Sequence, residues 1–487
     1  MFSLYHLSAS FNPLSKSYLG FQPSSFLAKE KSPFKEFTSV GLKYLSSISI
    51  INLSKAAFKS FPVTGIPILV YILPFYASNY NLGLALVGLI FFAGRIIDVF
   101  TDPIMGALVD RYPSRFGKHK HWIFLSLPVL CLSAYFLFFP QDEFISGWYL
   151  FIALFTLYSG FTLANIAQLS WASFIAPEYD ERTKLLTLRE IIAIIATLIV
   201  ISIPAVIEIY EGSFLLKINA VGIFALIGIP LTIFLGLFFL DDKRTSSNYD
   251  NPLKSFKRFF KNKTLNRLVL ASVLLAFAQS LTGGLFVIFM DSILELGDYA
   301  SRAIFVNFTF AVIGIFFWRH IGLKYTKHYA ASLCLLYAGI LFLLQFFVVL
   351  FIADASETVK AGVLFFVLAV YGISFSGAAP LIISMIADVS DAEQAESDIN
   401  KSGAMFAYYT TLTKVGFTFA VAFPYIFLES VIGFDITLGS DNTEYTKNTL
   451  LYMYHFIPVI CFFLASYLLS KHNISREVHS AIKENIS

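Results

Sequence analysis

From residue 58 onward the chain is a succession of apolar runs, each long enough to cross a bilayer as a helix, for which roughly 20 residues suffice. They fall near 58–78, 84–109, 121–140, 148–176, 185–208 and 218–240, and then near 265–290, 302–323, 329–353, 359–386, 403–430 and 448–470. Twelve such runs predict an all-α membrane protein, and one long charged stretch at the centre divides them into two six-helix bundles. Only 14% of the residues are charged, against about a quarter in a soluble domain. Lipid is therefore the expected solvent, and a length of 487 residues does not translate into a number of soluble domains.

The central stretch, DDKRTSSNYDNPLKSFKRFFKNKTLNR, reads as a solvated connector over 241–264 with an amphipathic segment on the membrane surface. The second, fourth, sixth and eighth connections carry Lys and Arg. Arg111, Arg115, Lys118 and Lys120 fall in the second, Arg182 and Lys184 in the fourth, Lys254, Lys257, Arg258, Lys261 and Lys263 in the sixth, and Arg319, Lys324 and Lys327 flank the eighth. The odd connections, such as QDEFISG and DSILELGDYA, are acidic or neutral. Lys and Arg stay on the cytoplasmic side, so both termini are expected there in a multi-pass inner (plasma) membrane protein. The expected organisation is an N-terminal extension at 1–55, bundles at 56–240 and 265–470, and a tail at 471–487. The first fifty residues lack a compact basic start, a single apolar core and a small-residue cleavage site, so no cleaved signal peptide is expected.

A net charge of +3, spread over these connections, marks topology and not a nucleic-acid footprint. Cys131, Cys334 and Cys461 lie far apart within apolar runs, as small fillers do, and the histidines show no metal-ligand spacing. A faint repeat relates the halves. SRFGKHKHW follows the second run and WRHIGLKYTKH closes the eighth, while APEYDERTK after the fourth is echoed by ADVSDAEQAE after the tenth. Such symmetry is found in secondary carriers, whose halves move about a site near the bilayer midplane.

Arg95, Asp98 and Asp102 lie inside the apolar run FFAGRIIDVFTDPIMGALVDR. An Asp at mid-helix costs roughly 2.5–3.5 kcal/mol on insertion scales, so two of them call for a partner or a function. Four residues apart, they share one helical face, with Thr101 beside them and Arg95 one turn earlier. Two carboxylates so placed repel when ionised, and a bound cation or a shared proton relieves the repulsion. A small oxygen-lined cage suits a hard cation. The alternative is a packing ion pair between Arg95 and Asp98, although one arginine does not neutralise both acids. Lys414 is the other isolated charge, in AMFAYYTTLTKVGFTFAVAF, too deep to snorkel and with no acid within helical reach. An acid of the second run is its natural partner.

The run GRIIDVFTDPIMGALVDRYPSRFGKHKHWI resembles the signature of the glycoside–pentoside–hexuronide cation symporters of the major facilitator superfamily. PEYDERTKLLTLRE, the stretch MIADVSDAEQAE followed by Lys414, and IPILVYILPFYA resemble the same family's patterns, so the likeness covers nearly the whole chain past residue 55. The resemblance implies a major facilitator fold and symport of a small solute with sodium or a proton, with no cofactor. It also implies that Asp98, Thr101, Asp102 and Thr162 bind the cation, and that Lys414, with Arg95 nearby, couples cation to solute. Asp110, Arg111, Arg115, Gly117 and Lys118 match a loop motif that controls the inward and outward equilibrium. Expected partners are the solute, the cation and membrane lipid, with no nucleic acid and a monomeric chain.

Two positions depart from the family's sugar-binding pattern: Pro62 and Asn165 stand where its best-known sugar carrier has aspartates. Asn165, Gln168, Trp171 and Arg189 are the remaining candidates for the solute site. The loss of two strong acceptors for sugar hydroxyls keeps a second cargo open, an amphiphile such as a lysophospholipid, which the wider family also resembles carriers of. A membrane enzyme would need a nucleophile, acid and base converging at one depth, and no such set is present outside the cation constellation. A receptor or scaffold that had lost transport is expected to lose its buried charges first, and Asp98, Asp102 and Lys414 are all retained.

Overall fold

A computed structural model describes residues 68–112, 114, 117, 119–175, 195–210, 212–239, 259–397 and 402–471. The expected N-terminal extension, most of the connector and the C-terminal tail lie outside these residues. Apart from one isolated bridge in a turn, the described residues are helical or in connections, as lipid demands of a chain that must satisfy its own backbone groups.

A π turn at Ile68–Ile72 leads into α1 (Leu73–Asn79), followed by α2 (Leu84–Arg111), α3 (Lys120–Phe138), α4 (Gly147–Ile175), α5 (Ile195–Ile209) and α6 (Phe214–Phe239). The second half runs α7 (Lys263–Ser292), α8 (Ala300–Lys324), α9 (Lys327–Phe351), α10 (Glu357–Phe375), α11 (Ala378–Ser397), α12 (Ser402–Ile426) and α13 (Glu444–Ser470). Ten spans among the described residues are long and apolar enough to cross a membrane, α10 and α11 forming one of them, while α5 is a shorter apolar helix. Large apolar side chains such as Phe100, Trp148, Phe351 and Phe366 point outward, the arrangement of a protein whose solvent is hydrocarbon.

The helices pack as two groups. In the first, α4 lies against α2 and α3, and α3 against α6; in the second, α13 lies against α7 and α9, and α8 against α10. The groups meet chiefly where α2 packs along α12. Gly88 permits that approach, since a Cβ there would come within 2.8 Å of Tyr425 Cβ.

The run at 359–386, expected as one helix, is broken at Ser376–Gly377 between α10 and α11. The carbonyls around the break are taken up by side chains of three other helices. Tyr337 donates to Val370 O at 3.0 Å, Trp318 Nε1 to Ile373 O at 2.9 Å, Cys334 Sγ to Ser374 O at 3.4 Å and Gln279 Nε2 to Phe375 O at 2.6 Å. A break at membrane depth is tolerated when its backbone is satisfied inside the protein in this way. No side chain fits at Gly377, where a Cβ would run into the Trp318 indole.

Candidate functional site

Asp98 lies 14 residues into α2, about 21 Å along its axis at ~1.5 Å per residue, and Lys414 is midway along α12. Because α2 and α12 pack side by side, these two depths coincide. The Lys414 ammonium lies 2.5 Å from Asp102 Oδ2 and 3.4 Å from Asp98 Oδ2. Arg95 approaches the same Asp98 oxygen from within α2, at 3.5 Å. The other Asp98 oxygen accepts from Thr162 Oγ1 of α4 at 2.6 Å.

The structure thus gathers Arg95, Asp98, Asp102, Thr162 and Lys414 into one cluster drawn from both helix groups. Two carboxylates face two cations, so its formal charge is zero. Asp98 is the dry member, its side chain 2% exposed, whereas those of Asp102 and Lys414 are 26% and 34% exposed. Thr101 is oriented differently: its hydroxyl donates to the Asp98 carbonyl at 3.1 Å, the usual outlet for a threonine inside a helix.

Three aromatic residues that sequence reasoning missed surround Arg95. Its guanidinium carbon stands 4.0 Å from the Tyr158 ring centroid on α4 and 5.6 Å from that of Phe417 on α12, with Phe91 at 5.8 Å. A desolvated cation–π contact is worth about 2 kcal/mol. Tyr158 is buried, so it fixes where Arg95 can reach Asp98. We expect Tyr158→Phe to behave like the parent, because the ring is kept. Tyr158→Leu should lower the melting temperature and weaken cation-dependent stabilisation of the purified protein severalfold; equal behaviour of the two variants would discount the ring.

The solute candidates are only partly described. Asn165 is half-buried on α4. Gln168, about 9 Å from Thr162 along that helix at ~1.5 Å per residue, is buried and its Nε2 has no hydrogen-bond partner among the described residues. The side chain of Trp171 and all of Arg189 and Pro62 lie outside the described residues. In the loop motif, Ser114 and Gly117 close a tight turn through paired backbone hydrogen bonds of 3.0 and 3.2 Å. Gly117 has φ +119°, a conformation that favours glycine. The side chains of Asp110 and Arg111, and residues Arg115 and Lys118, lie outside the described set.

Helix groups joined across an ion-pair cluster at mid-helix, with the charge-bearing residues contributed by both, are the arrangement of a membrane transporter. The chain belongs to the MFS/sugar transport protein family, whose sequence profile matches residues 60–476. It is similar to YagG of Escherichia coli (strain K12), named as a glycoside/cation symporter, with 22% identity over 70% of this chain and 74% of that one. It is also similar to the sodium-dependent lysophosphatidylcholine symporter 1 of Gallus gallus, with 24% identity over 83% of this chain and 80% of that one. Among solved structures, the nucleoside transporter NupG shares the fold, with a TM-score of 0.59 at 14% identity over 86% of this chain and 98% of NupG.

Proposed function

We propose that the protein is a secondary symporter that moves a sugar or glycoside together with one monovalent cation by alternating access. The observation that carries this reading is the Lys414 ammonium bridging Asp98 and Asp102 across the two helix groups. An ammonium there stands in for a free cation. When the groups part, Lys414 leaves with α12, and Asp98, Asp102 and Arg95 remain with a net charge of −1. That remainder is neutralised by one sodium ion or one proton. Asp98, Asp102 and Thr162 supply its oxygens, and the Thr101 hydroxyl oxygen completes the set after a small rotation. Further support comes from the relatives named for symport.

For the solute we assign Gln168 and Asn165, with Trp171 and Arg189 as further members of that site. A buried donor without a partner costs about 1–3 kcal/mol, and a bound hydroxyl satisfies the Gln168 amide. In this scheme the loop from Asp110 to Lys118 biases the inward and outward states. In this reading the protein is a monomer in the inner membrane with both termini cytoplasmic; the Lys- and Arg-bearing connections, which would then face the cytoplasm, support the orientation. Its bundles are 56–240 and 265–470, joined by the connector 241–264.

The test is uptake into vesicles with imposed sodium or pH gradients. A glycoside should accumulate only when one of the gradients is present. Melibiose-type galactosides should bind weakly, because Asn165 and Pro62 do not offer paired acceptors to two hydroxyls; tight cation-dependent melibiose binding would overturn that inference. The long match to a lysophosphatidylcholine symporter favours a second cargo class. A lysophospholipid arm belongs in the panel, and its gradient-driven uptake in place of glycosides would select that reading.

A further inference from the structure

At two helix starts, free N–H groups donate to carboxylates of the opposite bundle, two of them at α8 and one at α2. Both starts lie on the membrane face that carries the odd-numbered connections. At α8, Ser301 N and Arg302 N donate to Glu208 of α5 at 2.8 and 2.9 Å. At α2, Ala85 N donates to Glu429, just past α12, at 2.8 Å. The helices themselves offer no substitute, because neither Gly83 nor Tyr299, the residues preceding the two helices, caps with its own side chain. The first N–H groups of a helix have no partner within the helix and attract negative charge.

The two contacts are related by the symmetry of the halves. Residues 85 and 301 are each the second of their helix, and α2 and α8 are each the second span of their half. Glu208 and Glu429 each end the fifth span of the half opposite. Each half thus sends one carboxylate from its fifth span to the start of the other's second. Such reciprocity, two residues in two bundles making one contact twice, is not what independent surface charges produce.

The pair is unequal in strength. Glu208 is buried and also holds Lys217 of its own bundle at 2.9 Å and Arg302 at 3.6 Å. Glu429 is half-buried and the contact with Ala85 N is the one hydrogen bond described for its carboxylate, with Gly83 at φ +73° leaving it room: a Cβ there would come within 2.5 Å of that carboxylate.

We propose that Glu208 and Glu429 are paired latches that hold this face shut, and that opening it requires both carboxylates to leave the helix starts for water. The inference rests on the two-bundle transporter reading but not on the identity of solute or cation. When the face opens, Glu208 keeps Lys217 as its partner and Glu429 keeps none among the described residues, so the α2 latch is the weaker and releases first.

The test is a distance measurement between spin labels at Tyr210→Cys and Phe351→Cys, exposed sites on this face in opposite bundles, with the three native cysteines replaced. The parent should show a closed-face distance. In Glu208→Gln with Glu429→Gln, a longer distance should become the major population, and each single variant should show it partially. Glu444→Gln, an exposed carboxylate on the same face, should match the parent. Should the double Gln variant fail to fold, Glu208→Asp with Glu429→Asp keeps the charge while withdrawing it by one methylene, and should open the face in the same direction. A folded double variant of either kind with the parent's distance distribution overturns the proposal. Because the readout involves no transport, failure of the latches and failure of the symport reading give different results.

Discussion

In vesicles with an imposed gradient, Asp98→Asn and Asp102→Asn should each reduce the solute accumulation ratio to unity, while downhill exchange continues. Each substitution keeps size and hydrogen-bonding capacity and deletes one charge. When the groups part and Lys414 leaves, either variant keeps Arg95 facing a single carboxylate, a net charge of zero where the parent site carries −1. No driving force is left for a free cation to enter, so the gradient has nothing to act on. The two variants should differ in stability. Asp98 is buried and carries three partners, Arg95, Lys414 and Thr162. Removing one partner of a buried pair costs about 3–5 kcal/mol; Arg95 and Lys414 are partly solvated, which brings the expected loss toward the lower end. Asp102 is more exposed and meets Lys414 alone among the ion pairs described, so its loss should be milder. If the cluster served packing only, the folded fraction of Asp98→Asn would still accumulate solute. Uphill transport by either variant at the parent's rate, with unchanged sodium or pH dependence, would remove the pair as the coupling site.

Arg95, Asp98, Asp102 and Lys414 stand out in the sequence because an ionisable group in an apolar run is expensive and therefore conspicuous. Their convergence could be argued before any geometry, since Lys414 has no acid on its own helix and the second run has one acid in excess. What surrounds them carries no such mark. Tyr158 and Phe417 position Arg95, yet they are two among 25 tyrosines and 54 phenylalanines, and nothing local separates a cation–π partner from a lipid-facing ring. Glu208, Lys217 and Glu429 sit at the ends of runs, where charges ordinarily meet water, so the reach of the two glutamates into the opposite bundle is legible only once the helices are packed. The break at Ser376–Gly377 escapes hydropathy for a related reason. SFSGAAP is apolar and small enough to read as span, and the helix stops there because Gln279, Trp318 and Cys334 replace its backbone hydrogen bonds from a distance in sequence.

Replacing Lys414 should have the opposite effect on cation binding to replacing either acid. Lys414→Met keeps length and apolar stem but removes the ammonium that lies 2.5 Å from Asp102. The cluster then rests at a net charge of −1, and a free cation no longer competes with a tethered one. Cation affinity should rise at least tenfold, equivalent to about 1.4 kcal/mol. A ligand that binds only the folded state stabilises it in proportion to the logarithm of concentration over Kd, so the rise in melting temperature on adding the cation should exceed the parent's. Transport should fail at a single step. The loaded carrier is neutral and still crosses, so exchange of solute across the membrane persists. The empty carrier must return with an uncompensated carboxylate in a low-dielectric path, so net uptake should fall by at least an order of magnitude. The same variant separates the two cations. With sodium as the coupling ion, the extra stabilisation appears on adding sodium at fixed pH. With a proton, it appears on lowering the pH, because protonating Asp102 discharges the site, and sodium has no effect. The proposal that Lys414 stands in for the cation fails if the variant shows neither response, or if its net uptake and exchange fall by the same factor.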